Sequence, residues 1–465
     1  MKITTSSTYL QNQPTLQILS NMAVTLNITA NPLNLATEQL FQMAARVNKK
    51  RGFLFVSKVL GKHIPVHPLK PLLTSGLLAI EYYEQTTETT VPTKSAILNG
   101  ILSEDTASIE LSYQLLSELS LELDQDPIII GFAETATSLG HAFFDVFTNA
   151  FYIHTTRENV SGTTSNLEFE EEHSHAVDQH CYIGRNQIEN EKPVILVDDE
   201  ITTGKTAINI IRTIHTTFPR KNYSVISILD WRSEENKQKF VELERELDIT
   251  ITSCSIVSGN MEFIGSTLDR VDYNYSPSTQ SNEVNHRIVD LSLFFTQSRF
   301  VNKSKTSPYI KETGRFGINH TDRAFIKKAC ANAGEYLGTC RTGSKTLCLG
   351  TGEFMYLPMR ISSQMGAGVK FHSTTRSPIY PQVKQDYGIQ NGYRFPNPED
   401  AEVLHYIYNI PKDEYDDIFI YFEREIEEES LRELMDICKE QGIKQVNTVI
   451  FSKENGSERI EQYSI

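Results

Sequence analysis

Apolar residues along this 465-residue chain gather in short blocks set between polar, helix-patterned stretches. Blocks at residues 127–130, 151–155, 194–197, 223–229 and 249–257 read as strands. A helix is expected from about residue 138. Another follows the third block, where Ala207, Ile210, Ile211 and Ile214 recur at helical spacing. Residues 234–247 read as a charged helix. Strands alternating with helices predict a parallel sheet with right-handed crossovers. From 258 to about 305 the rhythm gives way to a run rich in Ser, Asn and Thr. A second α/β pattern follows, with strands at 346–350, 369–372, 417–421 and 446–451. Its helix at 430–441 places Leu431, Leu434, Met435 and Cys438 on one face, with Gly442 just past its end. The expected fold class is α/β: a parallel-sheet domain over 36–275, a linker over 276–305 and a smaller α/β domain over 306–465. Residues 1–35 form a polar N-terminal segment, read as a tail or an edge hairpin.

Composition changes this picture by exclusion. Lys and Arg number 44 against 59 Asp and Glu, a net charge of −15. That balance argues against broad binding to nucleic acid or an anionic membrane. No apolar run approaches the ~18 residues of a membrane span, and the first residues lack the apolar block of a signal peptide. A cytoplasmic protein is expected. The six cysteines (Cys181, Cys254, Cys330, Cys340, Cys348 and Cys438) have no metal-like spacing and read as reduced packing thiols.

The most informative chemistry begins where the third strand ends. Val197 is followed by Asp198, Asp199 and Glu200, then by Thr202-Thr203-Gly204-Lys205-Thr206 and a helix. A helix start offers free N–H groups and the positive end of a dipole, which suit phosphate. The threonine hydroxyls add donors, and Gly204 allows close backbone approach. The paired acids point acceptors at whatever hangs from that phosphate. A sugar with vicinal hydroxyls satisfies them, so the run reads as a cradle for a ribose 5-phosphate. The first glycine of a Walker loop is absent.

Other loops add to it. Gly131-Phe132-Ala133-Glu134-Thr135 follows the first strand, where ligands collect in open α/β sheets. Glu134 there is suited to holding Mg²⁺ through water. The excursion 157–182, with His173 and His175 beside an acidic run, is long enough to be a lid. A weak metal pair and a solvated acidic loop are its other readings. Lys58 and Lys62 lie in a basic run, read either as an anion contact or as a charged surface edge. In the second domain, Gly350 and Gly352 follow one strand and Thr375, Arg376 and Ser377 follow another, a pairing that suits a second anionic ligand.

The Asp198–Thr206 run resembles the binding signature for phosphoribosyl pyrophosphate (PRPP) in type I phosphoribosyltransferases. With the 57–65 run, the Glu134 loop, Glu171-Glu172-His173-Ser174-His175 and Thr375-Arg376-Ser377-Pro378, the order resembles bacterial proteins that join an orotate-phosphoribosyltransferase-like domain to a TRSP domain. That resemblance implies an Mg²⁺-dependent glycosyltransferase that moves ribose phosphate from PRPP to a small acceptor. It implies roles at the reacting centre for Asp198, Asp199, Glu134, His173 and His175. Thr202, Thr203, Gly204, Lys205, Thr206, Ala133, Thr135, Lys58 and Lys62 would bind PRPP. Mg²⁺ would be carried by PRPP and water with no direct protein ligand. The family is linked to tellurite-resistance-type clusters and to a nucleoside-like product. A homodimer is allowed. A PRPP-binding regulator or scaffold without turnover is the alternative.

Overall fold

The computed structural model describes residues 14–49, 51–170, 177–271, 273, 284–303 and 306–454. Five strands of the first sheet, Ile128–Gly131, Phe151–His154, Val194–Ile201, Asn222–Asp230 and Thr250–Gly265, are parallel. Counted along the chain, they stand in the order 2-1-3-4-5. Ile128, Ile129, Ile130 and Val194 to Val197 are fully covered by helices, as a parallel sheet requires. Helix Lys205–Thr217 buries Ala207, Ile210, Ile211 and Ile214 against it.

The N-terminal segment takes the hairpin form. Thr15–Leu19 and Met22–Ala30 pair antiparallel and extend this sheet beyond Thr250–Gly265. Its opposite edge is closed by Ile318–Asn319, contributed from the C-terminal half. Three helices, Leu69–Thr87, Lys94–Leu102 and Thr106–Ser117, fill a stretch where the apolar pattern announced no element. The first is buried on most of its circumference, from Leu72, Leu73 and Leu77 to Leu78 and Ile80. With little polar face, it shows no period.

The second sheet is wholly parallel and joins Asn285–Asp290, Thr346–Gly350, Val369–Ser373, Asp417–Phe422 and Gln445–Ile450. Its chain-order sequence is 1-5-4-2-3. Part of the expected linker is therefore structural. Asn285–Asp290 is an edge strand of which Val289 alone is buried, so its polar face reads as loop. Gln297–Asn302 pairs with Pro308–Ile310 and with Val160–Ser161 of the first domain. The expected helix at 430–441 is a 3₁₀ turn, Glu428–Leu431, running into Arg432–Glu440.

Each sheet has a point where successive crossovers diverge, leaving a crevice at the carboxyl ends of the strands. In the first it lies between Ile128–Gly131 and Val194–Ile201. In the second it lies between Thr346–Gly350 and Asp417–Phe422. The two crevices meet. Thr137 Oγ1 donates to the Glu353 carbonyl at 2.9 Å, and Thr156 Oγ1 donates to the Glu353 carboxylate at 2.6 Å.

Candidate functional site

The first crevice holds a cleft of about 160 Å³ lined by Ala133, Gln179, Asp198, Glu200, Thr202 and Thr206, among others. Its floor follows from one residue. Gly204 has φ +74°, in the left-handed region, and a Cβ there would lie 2.5 Å from the Phe240 ring. Glycine alone fits both conditions. Arg232 stacks on that ring at 4.3 Å and is held by a two-pronged ion pair to Asp230. The phosphate loop thus rests on a rigid base. Lys205 N donates to Thr203 Oγ1 at 3.2 Å, while Lys205 itself is exposed at the rim. Thr202 and Thr206 are half-buried and turned to the cleft.

Asp198 and Asp199 occupy the strand end. The Asp199 N–H donates to Asp198 Oδ1 at 2.9 Å. Neither carboxyl forms an ion pair among the described residues. Burial, with the neighbouring Asp199 charge next, pushes the Asp198 carboxyl well above its ordinary range; burial also raises Asp199. Such acids gain from hydroxyl donors or a bound cation. Glu200 is raised too, first by burial and then against the pull of Arg51, whose Nη2 lies 2.5 Å from Glu200 Oε1.

The opposite wall is the loop after Ile128–Gly131, where the Ala133–Glu134 peptide is cis. Thr155 Oγ1 accepts from Ala133 N at 2.9 Å, and Gln179 Nε2 reaches the Ala133 carbonyl at 3.4 Å. Thr135 stands at the N-cap position of helix Ala136–Phe144, without a side-chain capping bond. Burial disfavours the Glu134 charge, yet Lys62 and Arg157 hold the carboxyl down to about 2. Lys62 Nζ is 3.3 Å from Glu134 Oε1 and 3.3 Å from the Gly352 carbonyl. Desolvation lowers the Lys62 pKa against the pull of Glu134. Lys62 therefore stands at the meeting of both domains, beside the acids.

Lys58 departs from expectation. Its ammonium donates to the Glu38 carbonyl at 2.8 Å, so it is spent on a neighbouring turn rather than on the cleft. His173 and His175 lie outside the described residues. The excursion around them carries two antiparallel arms, Leu167–Glu170 and Val177–Cys181. Gln179, on the second arm, and Arg51 are site residues that sequence reasoning did not select. Gln179 follows the acidic run and has no motif of its own. Arg51 opened the basic run but carried no distinguishing spacing.

The second-domain residues gather across from Glu134. Gly352 has φ +55°, and a Cβ there would lie 3.3 Å from the His405 ring. Its N–H donates to Thr374 Oγ1 at 2.9 Å. Thr375 Oγ1 accepts from Ser377 N at 3.2 Å, and Gly350 O accepts from Thr374 N at 3.0 Å. Arg376 is half-buried and lines the space between the domains together with Glu134 and His405. It makes no ion pair among the described residues. His405 is held neutral, its pKa lowered to about 4 chiefly by burial. Arg376 thus faces the Glu134 loop rather than standing apart from it.

A buried charge network fills the rest of this space. Arg315 Nη1 meets Glu423 at 2.6 Å. Arg424 meets Glu158 at 2.8 Å and Glu399 at 3.0 Å. Both guanidinium groups lie 4.4 Å from the ring of Tyr309, whose hydroxyl donates to Glu158 at 2.7 Å. Among the described residues, no group of three or more His, Cys, Asp or Glu is arranged to hold a metal ion. Nor is any described helix long and apolar enough to cross a membrane.

Residues 40–260 match the family described as phosphoribosyl transferase, and residues 312–438 match the TRSP domain that lies C-terminal to it. No curated protein matches the chain. Similar solved structures include the adenine phosphoribosyl transferase of Trypanosoma brucei, at 12% identity. That match covers 52% of this chain and 86% of that one, with a TM-score of 0.31. The enzyme of the same name from Leishmania donovani is 13% identical over 50% of this chain and 86% of its own, with a TM-score of 0.25. A hypoxanthine phosphoribosyltransferase from Staphylococcus aureus is 10% identical over 37% and 69%, with a TM-score of 0.18.

Proposed function

We propose that this chain, in which residues 40–260 match the phosphoribosyl transferase family and residues 312–438 the TRSP domain that follows it, transfers ribose 5-phosphate from PRPP to a small acceptor with Mg²⁺ as cofactor. One observation carries the reading: two acids at a strand end, without ion-pair partners among the described residues, beside an open helix start at the divergence point of a parallel sheet. The acids accept the two ribose hydroxyls. The Thr202–Thr206 loop and the first N–H groups of its helix hold the 5-phosphate.

Pyrophosphate leaves as its bond to C1 breaks and the ribose gains oxocarbenium character. Lys62 and Arg157 sit beside the Glu134 loop, where charge develops on the leaving group. In this reading the arms Leu167–Glu170 and Val177–Cys181 keep water from the sugar cation. Mg²⁺ prefers oxygen ligands and keeps much of its water; Asp198, Asp199 and Glu134 offer such oxygens at the cleft. When bound, the ion neutralises charge on pyrophosphate. Arg376, Thr375, Ser377, Gly350 and Gly352 belong, in this reading, to recognition of the acceptor, whose product is nucleoside-like.

Calorimetry with PRPP and Mg²⁺ tests the cradle. Binding is expected for the wild type and much weakened for Asp198→Asn. No heat at millimolar PRPP would overturn the reading. Pyrophosphate release with candidate acceptors then separates an enzyme from a PRPP-binding regulator or scaffold.

A further inference from the structure

A second cavity takes no part in this chemistry. It measures about 300 Å³ and lies at the far end of helix Ala136–Phe144, the helix that begins at the Glu134 loop. It opens on the seam between the two domains, and its two walls differ in kind. The first domain supplies an apolar wall, with Leu72, Leu116 and Val146 buried and Tyr113 beside them. The second supplies cations. Arg323 and Lys327 stand one turn apart on helix Arg323–Thr339, and Arg360 lies behind them.

The charge on this side is unbalanced. The cavity's one acid is Asp145, and it is already engaged by Arg360 and by the Tyr356 hydroxyl. Arg323 donates to the Phe147 carbonyl at 2.5 Å. Lys327 is exposed and has no partner among the described residues. Both cations also sit in the opening turns of their helix, where the dipole is positive and a basic side chain is disfavoured. An anion seated between them would offset both cations and the positive helix start together.

We propose that this cavity is a binding site for an amphipathic anion: a carboxylate, phosphate or sulfonate carried on an aromatic or aliphatic body. A bare inorganic anion would leave the leucine wall unused. A neutral apolar molecule would desolvate Lys327 and Arg323 with nothing in return. The volume is at the lower end of the roughly 300–1,000 Å³ of small-molecule sites. The proposal does not depend on the PRPP reading, since the cavity shares no lining residue with the cleft.

The test uses the full chain and anilinonaphthalene sulfonate, an anion on an aromatic body, followed by fluorescence and calorimetry. Saturable binding to one site is expected. Lys327→Glu should weaken it at least tenfold, Lys327→Arg should retain it, and Ala324→Trp should block it by filling the cavity. Residues 324 and 327 are exposed, so the variants should melt like the wild type. Displacement by phenyl phosphate or by octanoate tells an aromatic from an aliphatic natural ligand. Equal binding by Lys327→Glu, displacement by PRPP, displacement by inorganic phosphate as effective as by phenyl phosphate, or absence of a saturable site would each overturn the proposal.

Discussion

At the divergence point of the first sheet, Asp198 lines an open cleft with Asp199 beside it, and neither is ion-paired among the described residues. At the divergence point of the second, Glu423 and Glu399 are each bound to a buried arginine, and Glu353 accepts from Thr156 Oγ1 and Arg157 N. The topology is alike and the electrostatics are opposite. A crevice that awaits a ligand leaves its acids under-bonded, at a cost in stability. A crevice used as a joint fills itself with its own counter-charges. Arg376, at the rim of the second and without an ion pair among the described residues, is the exception that suits a ligand.

Glu423→Ala should have the largest effect on stability. It strips Arg315, 2% exposed, of its nearest counter-charge, and breaking a buried pair in this way costs about 3–5 kcal/mol. Denaturant unfolding measures this, and a loss below about 1 kcal/mol, the size expected of exposed pairs, would mean that the second crevice is solvated like the first.

Asp198→Asn is expected to act in the opposite sense. Losing charge-assisted hydrogen bonds to the ribose should weaken PRPP binding by about 1.5–3 kcal/mol. Without ligand, the variant should be more stable than wild type at neutral pH. The folded-state pKa of Asp198 is raised, so its charge destabilises the fold above that pKa. The penalty fades as pH falls through the raised value toward the ordinary 3.8. Melting curves of both proteins should therefore converge in acid; a constant gap would remove the comparison's electrostatic basis.

Gly204→Ala should cost about 1–2 kcal/mol for the left-handed backbone alone, more with Phe240 in the way, and should also reduce PRPP affinity. Thermal unfolding and calorimetry on one sample read both. An unchanged melt would mean that the loop adapts and is not a rigid cradle.

The smallest effect on stability belongs to Arg376→Ala, within about 0.5 kcal/mol, since no pair is broken. PRPP affinity should hold while turnover or binding of a second ligand falls. A loss of PRPP affinity equal to that of Asp198→Asn would assign Arg376 to the first crevice.

The cradle was legible because its chemistry is local: acids, hydroxyls and Gly204 are consecutive, and the strand and helix around them are strongly patterned. The joint was not. Glu158, Arg315, Glu399 and the Glu423-Arg424 pair lie far apart in sequence, and a charge met alone reads as surface. Lys58 and Lys62 show the same limit at short range. Four residues apart in one basic run, one turns to the Glu38 carbonyl and the other to Glu134, a divergence set by backbone direction rather than residue type. Helix Leu69–Thr87 was hidden because burial on nearly all sides erased its period.

The crossed pairings bear on modularity. Val160–Ser161 of the first domain pairs with Gln297–Asn302, and Ile318–Asn319 closes the edge of the first sheet from the C-terminal side. Each half thus completes backbone of the other. A cut anywhere between residues 270 and 310 would leave the N-terminal fragment with an open sheet edge at Phe151–His154 and Glu158 without its arginines. Fusion here is not two tools on one string. The halves are interlaced, so each needs the other to finish its own sheet edge.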